Sequence, residues 1–187
     1  MAVRIEKTFE VAEPVDKVWA LLSDPGKVVS CVPGAKLTEA VDERTFKGSV
    51  SVKVGPSLTE FKGEVRIERL DEQAHAIELV GKGQDVRGKG SASMTMTGTL
   101  QALENAGTRV NAVSEVTVVG ILAQFGARMM QDVSDVIFKE FTQRFQQMLK
   151  DPESVSQAPA KPVDAVRLAS SVLGHSIRRV LGGSDES

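Results

Sequence analysis

Apolar and polar residues alternate along most of the first 120 positions of the chain, as they do in strands with one buried face. One alternating segment covers residues 3–11, and a series of others runs from about residue 36 to 119, separated by turn-forming residues. Between them, apolar residues at helical spacing follow Pro14, and a second short helix is expected over about residues 26–32. The pattern predicts an antiparallel sheet that is covered on one side, with two short helices after its first strand.

The spacing of apolar residues changes to that of a helix over residues 121–149. Asp151 and Pro152 end this pattern. A helix of such length can cross the whole concave face of a bent sheet. The order of elements therefore predicts an α+β helix-grip fold for residues 1–150, in which about seven antiparallel strands curve around the long C-terminal helix and enclose an elongated cavity.

The chain continues beyond this domain with a different composition. Residues 151–162 contain three prolines and small polar residues without an apolar period, which predicts a flexible linker. Residues 163–187 are expected to hold an amphipathic helix, over 163–181, and a short tail. This helix is suited to bind a membrane surface, an apolar groove of a partner or its own sheet. The predicted membrane-binding residues are Val163, Val166, Arg167, Leu173, Ile177, Arg178, Arg179, Val180 and Leu181.

Composition narrows the classes of function. The net charge is −2, and the few aromatic residues, seven Phe and one Trp, fall at apolar positions of the pattern. Nucleic acid is therefore not an expected partner. No apolar run matches the core of a signal peptide or a membrane span, so we expect a cytoplasmic protein.

Candidate catalytic and metal-binding residues are few. The chain has one cysteine, Cys31, and two histidines, His75 and His175. A nucleophilic triad needs its members within hydrogen-bond distance, and Cys31 has no evident histidine neighbour, so a buried structural thiol is the favoured interpretation. No spacing of histidines, cysteines or carboxylates is typical of a metal site. We therefore expect neither a catalytic residue nor a bound metal.

Methionine is frequent at positions that face the predicted cavity. Most methionines at such spacing belong to an ordinary core, but flexible and polarizable side chains that line a cavity also suit an apolar guest. The predicted ligand-binding residues lie on the inward faces of the strands and of the long helix. They are Phe61, Leu79, Met94, Met96, Phe125, Met129 and Val133.

Several short motifs occur in a fixed order along residues 3–148. They are Asp24-Pro25, Cys31-Val32-Pro33-Gly34, Val54-Gly55-Pro56, Phe61-Lys62-Gly63-Glu64, the glycine-rich segment 81–90 and the segment 118–126. Together they resemble the G-subunit family of carbon monoxide dehydrogenase. The resemblance implies a START-like helix-grip fold, the superfamily that includes polyketide cyclases, lipid carriers and coenzyme-Q-binding proteins. It assigns no catalytic residue.

The resemblance also implies an accessory role beside a molybdenum-containing carbon monoxide dehydrogenase or a related hydroxylase, at the inner face of the cell membrane. A soluble enzyme of this kind must deliver electrons to a lipid-soluble respiratory quinone. The expected ligand is therefore a quinone such as menaquinone, held without a covalent bond and carried between enzyme and membrane. Three other hypotheses stay open: a polyketide cyclase-like enzyme, a general lipid-binding protein, and a membrane anchor with a filled core.

Overall fold

A curved antiparallel sheet and one long helix dominate the structure, a computed structural model that describes residues 1–54, 57–152 and 163–164. The strands are β1 (Ala2–Val11), β2 (Ala35–Ala40), β3 (Thr45–Val54), β4 (Ser57–Asp71), β5 (Ala76–Asp85), β6 (Gly90–Ala102) and β7 (Thr108–Gly120). The helices are α1 (Val15–Leu22), α2 (Pro25–Val28) and α3 (Gly126–Lys150), with 3-10 turns at Val29–Cys31 and Ile121–Phe125. These seven strands lie in the order β1-β7-β6-β5-β4-β3-β2 with antiparallel neighbours. The predicted helix-grip fold is confirmed.

The two short helices follow the predicted local signals. Pro14 precedes the first residue of α1, which buries Val18, Trp19 and Leu21. The Asp24 carboxylate accepts a hydrogen bond from the Lys27 backbone N–H at 3.3 Å and caps α2. These helices close one end of the concave face of the sheet.

The long helix begins later than its apolar pattern predicts. The chain has left-handed φ angles at Gly120 (φ 93°) and Gly126 (φ 76°), and the five residues from Ile121 to Phe125 form a 3-10 turn between them. The expectation of a helix that starts at Ile121 was therefore wrong by five residues. The 25 residues of α3 begin at Gly126.

Side chains of β1 hold α3 along one side of the sheet. Lys7 pairs with Asp135, and the Gln131 side-chain amide donates a hydrogen bond to the Arg4 carbonyl at 3.0 Å. The Phe9 ring meets the Phe138 ring edge-on, with ring centroids 5.8 Å apart. The helix is thus fixed against β1, the strand at one edge of the sheet.

A further strand, β8 (Val163–Asp164), pairs in parallel with Val52 and Lys53 of β3. Strand β2 pairs with β3 only as far as Val50, and the Ser51 N–H donates to the Gly34 carbonyl at 3.0 Å, so β8 lies along the part of this edge that β2 does not reach. The first two residues of the helix predicted over 163–181 are therefore in a strand here. The rest of that helix, residues 165–181, and residues 153–162 of the predicted linker lie outside the described residues.

Candidate ligand-binding cleft

The buried residues of the concave face form two separate clusters. The larger one lies under α1 and the Cys31 turn and includes Trp19, Ile67, Ile77 and Phe145. The smaller one lies at the opposite end of the sheet, where Phe61 and Val118 meet Leu122 and Val133. Protein cores are normally contiguous and closely packed, so the zone between two clusters is where a guest molecule can enter.

Apolar side chains between the clusters stay partly open to solvent although they face inward. Val65 shares the concave face with buried Phe61 and Ile67, yet it is 37% exposed. Met94 and Met96 on β6 are half-buried and belong to neither cluster. We call this zone the cleft: the concave surface of Val65, Gly81, Met94 and Met96, between the two clusters.

A glycine leaves room in the middle of the cleft. Gly81 pairs with Val65 on one side and with Met94 on the other. A Cβ atom at Gly81 would lie 3.5 Å from Met94 Cε and 3.6 Å from Val65 Cγ2. These are ordinary van der Waals distances, so a Cβ atom fits at this position between the two side chains that cover the glycine.

The structure places most of the predicted ligand-binding residues around the cleft. Phe61 and Val133 are buried in the smaller cluster, and Met129 packs against them. Leu79 packs against the larger cluster, on the opposite side of the cleft. Phe125 departs from this set. It lies in the 3-10 turn before α3 and is 42% exposed.

The sequence prediction omitted several residues that border the cleft. Val65 and Gly81 form its floor, and Val116, Met130 and Ile137 pack at its smaller-cluster end. The alternating pattern put Val65 on the inward face, which was the available signal for it. For Gly81 the signal was a glycine directly after the apolar inward residues Ile77 and Leu79 of β5.

The outer face of the same sheet carries an open trough of about 870 Å³. Three glycines, Gly48, Gly63 and Gly83, pair in a row across β3, β4 and β5 behind it. None of the seven predicted ligand-binding residues lines the trough, which is bordered by polar and charged side chains such as Lys62, Glu64, Lys82, Gln84, Ser91 and Ser93. Three lysines and a glutamate beside serines and a glutamine suit water better than an apolar guest, so we assign the ligand site to the concave side.

Cys31 and His75, the cysteine and the histidine that the structure describes, are packed against neighbouring side chains. Burial raises the pKa of the Cys31 thiol to about 11, and the positive charge of Arg144 opposes this shift only in part. The thiol is therefore neutral near pH 7, and Cys31 Sγ lies 3.9 Å from Met148 Sδ. His75 lies edge-on to the Trp19 ring, and its Nε2 is 3.6 Å from the Asp16 carboxylate.

Two buried polar side chains of the concave face, those of Thr108 and Asp85, form hydrogen bonds with backbone groups. The buried Thr108 hydroxyl donates a hydrogen bond to the Glu13 carbonyl at 2.7 Å. The buried Asp85 carboxylate accepts one from the Arg87 backbone N–H at 2.8 Å and so fixes the β5–β6 turn. Among the described residues, no group of three or more His, Cys, Asp or Glu side chains is arranged to hold a metal ion. The arrangement suits binding of an apolar molecule by shape and burial.

Solved structures with a similar fold cover most of this chain. A conserved protein from Geobacillus kaustophilus aligns with a TM-score of 0.71 and 20% identity, over 79% of this chain and 95% of its own. A protein from Chromobacterium violaceum aligns with a TM-score of 0.57 and 14% identity, over 79% and 96%. Norcoclaurine synthase from Thalictrum flavum aligns with a TM-score of 0.52 and 15% identity, over 81% and 88%. At these identities the likeness establishes the START-like fold and nothing about activity.

Sequence comparison identifies the family. No curated protein matches the chain. The family of the carbon monoxide dehydrogenase G subunit, CoxG, matches residues 8–156, which include nearly all of the folded domain. This match confirms the resemblance carried by the motifs between Asp24 and Gly126. The chain belongs to the CoxG family of carbon monoxide dehydrogenase.

Proposed function

We propose that this protein is a non-catalytic accessory protein of a molybdenum-containing carbon monoxide dehydrogenase or a related hydroxylase. It binds a respiratory quinone such as menaquinone in the cleft and links the enzyme to the membrane or carries the quinone between them. The observation that supports a ligand most directly is the division of the core into two clusters with Val65, Met94 and Met96 partly exposed between them. Membership of the family supports the enzyme partner.

The cleft offers the surface that a prenylated ring needs. Its inward side chains are aliphatic or thioether groups, which exclude water without directional hydrogen bonds. Burial of apolar area contributes about 25 cal/mol per Å², so a prenyl chain of moderate length gives micromolar affinity or better after the cost of association. Methionines can change rotamer around such a chain, and Gly81 leaves space at the centre.

The link to the membrane is assigned to the C-terminal segment. Residues 165–181 carry aliphatic side chains at Val166, Leu173, Ile177, Val180 and Leu181, and Arg167, Arg178 and Arg179 provide positive charge for anionic lipid. Among the described residues, no helix is long and apolar enough to cross a bilayer. We propose that the apolar positions and arginines of this segment attach the protein peripherally at the inner face of the cell membrane.

Ligand binding is tested with full-length protein and a short-chain menaquinone analogue. We expect the analogue to raise the melting temperature, because a ligand that binds only the folded state stabilises it. Replacement Gly81→Leu should abolish the shift by filling the cleft. The matched control is Thr95→Leu, which adds the same side chain to the exposed outer face of β6, next to Met94.

The identity of the natural ligand is tested on protein purified from its own host. Native mass spectrometry and solvent extraction should recover a quinone from the wild-type chain and none from Gly81→Leu. Recovery of phospholipid or fatty acid in place of quinone would leave a general lipid-binding protein as the function. A chain that carries no extractable ligand and shows no shift with the analogue would contradict the proposal.

A further inference from the structure

One end of the domain exposes large apolar side chains on three neighbouring connections. Strands β3, β5 and β7 run in the same direction, so the β3–β4, β5–β6 and β7–α3 connections lie at the same end of the sheet. The exposed apolar residues there are Leu58, Val86, Val119, Ile121 and Phe125, with exposed fractions between 39% and 57%. Backbone hydrogen bonds join two of these connections, since the Ile121 N–H donates to the Lys89 carbonyl at 3.1 Å.

The same end is basic. Arg87, Lys89 and Arg128 are exposed, and none of them forms an ion pair with the described residues. Residues 85–90 and 119–128 contain a single carboxylate, Asp85, and it is buried. Contiguous apolar groups beside unpaired cations are typical of a surface that enters the headgroup region of an anionic bilayer.

The opposite end has the reverse charge. Its connections, at residues 40–45, 71–76 and 102–108, contain Asp42, Glu43, Asp71, Glu72 and Glu104 against a single arginine, Arg44. A domain that is basic and apolar at one end and acidic at the other is oriented by a negatively charged surface. The acidic end then faces away from the lipid.

Strand β8 ends at the basic end of the domain. Strand β8 pairs with Val52 and Lys53, the last part of β3 before the β3–β4 connection, and residues 165–187 continue from there. These residues contain three arginines, Arg167, Arg178 and Arg179, against two carboxylates, Asp185 and Glu186, so their net charge has the same sign as that of Arg87, Lys89 and Arg128. Repulsion between like charges makes it unfavourable for residues 165–187 to cover the basic end. Anionic lipid, in contrast, attracts both this segment and the basic end.

We infer that this basic apolar end, with Leu58, Val86, Ile121 and Phe125 at its surface, is a second membrane-contact site that seats the domain on an anionic bilayer. The inference rests on the proposed membrane function and goes beyond it, because it assigns contact to the folded domain and fixes its orientation. The smaller core cluster, with Phe61 and Leu122, lies directly behind this surface.

The test measures binding of the full-length chain to vesicles of phosphatidylcholine with and without phosphatidylglycerol. We expect Ile121→Asp with Phe125→Asp to lower binding to the anionic vesicles about tenfold or more, and Arg87→Glu with Lys89→Glu to do the same. The matched control is Val41→Asp with Leu70→Asp, which alters equally exposed aliphatic residues away from this end and should leave binding unchanged.

A fluorescence measurement keeps the test independent of folding defects. Phe125→Trp preserves an aromatic ring, and its added emission should shift to shorter wavelength with anionic vesicles, whereas that of Leu70→Trp should not. Equal vesicle binding by the wild type and the Ile121→Asp, Phe125→Asp variant would overturn the inference. If Leu173→Asp with Ile177→Asp abolished binding and the variants at the basic end did not lower it, the proposed function would be supported and the second site would be contradicted.

Discussion

The Cys31 thiol and the Met148 thioether lie against each other in the larger core cluster, with Sγ 3.9 Å from Sδ and the cysteine fully buried. Burial there raises the thiol pKa from its ordinary value of 9.0 to about 11. The folded state thus holds this proton more tightly than the unfolded state does. The associated stability is complete below pH 9 and is lost as the pH rises towards 11.

We therefore expect the free energy of unfolding to fall between pH 9 and 11 by roughly 2–3 kcal/mol more in the wild type than in Cys31→Ala. Urea unfolding at several pH values measures this difference in slope, and comparison of the two chains cancels the lysines that titrate in the same range. Parallel pH profiles for the two chains would show that the thiol is not desolvated in the folded protein.

Two glycines on the concave face should respond to alanine in opposite ways. A Cβ at Gly63 would lie 2.0 Å from the Lys82 carbonyl oxygen, a backbone atom that cannot move aside, whereas a Cβ at Gly81 has ordinary contacts. Gly63→Ala should lower the free energy of unfolding by about 2 kcal/mol or more. Gly81→Ala should lower it by less than about 1 kcal/mol or raise it. Thermal unfolding of both variants provides the comparison. Equal melting temperatures would contradict the close approach of β4 and β5 at Gly63.

Phe145 and Phe138 both contact the Phe9 ring, at 5.8 Å between centroids, but only Phe145 is fully buried. Phe145→Ala should lower the free energy of unfolding by about 3–5 kcal/mol, because it leaves a cavity in the larger cluster. Phe138→Ala should lower the free energy of unfolding by well under half of that amount. Denaturant unfolding of the two variants is the measurement, and similar losses would mean that α3 is packed differently against β1.

The Thr108 hydroxyl ties β7 to the segment between β1 and α1 through its hydrogen bond to the Glu13 carbonyl. Thr108→Val keeps the shape of the side chain and leaves that carbonyl without its donor. We expect a loss of about 1–3 kcal/mol in the free energy of unfolding. Thr97→Val, at an exposed position of β6, is the control and should change stability by less than about 0.5 kcal/mol.

The apolar pattern was sufficient for the faces of the strands but not for the geometry around the helix. Alternation placed Phe61 and Val65 on one face, and that face is the concave one. It could not show that Phe61 would be covered and Val65 left open, because coverage depends on where α3 lies across the sheet. The helix is held at β1 by Lys7 and Phe9, contacts between residues that are far apart in sequence.

Phe125 is a second residue whose position the apolar pattern did not predict. It fits the helical spacing of the apolar residues that follow it, and that spacing alone assigns it to the ligand site. The left-handed Gly126 separates it from α3, so it sits on a 3-10 turn and lies outside the cluster that includes Met129 and Val133. A single φ angle thus decides where one predicted residue lies, and periodicity alone does not encode it.

The short strand β8 has a consequence for every shortened form of this chain. It occupies the backbone of β3 at Val52 and Lys53, which β2 does not reach. Removal of β8 would leave those backbone N–H and C=O groups as a template for the same edge of another molecule. A chain that ends at residue 152 should therefore self-associate edge to edge more readily than one that ends at residue 164. The two residues of β8 would then protect this edge of the sheet from aggregation.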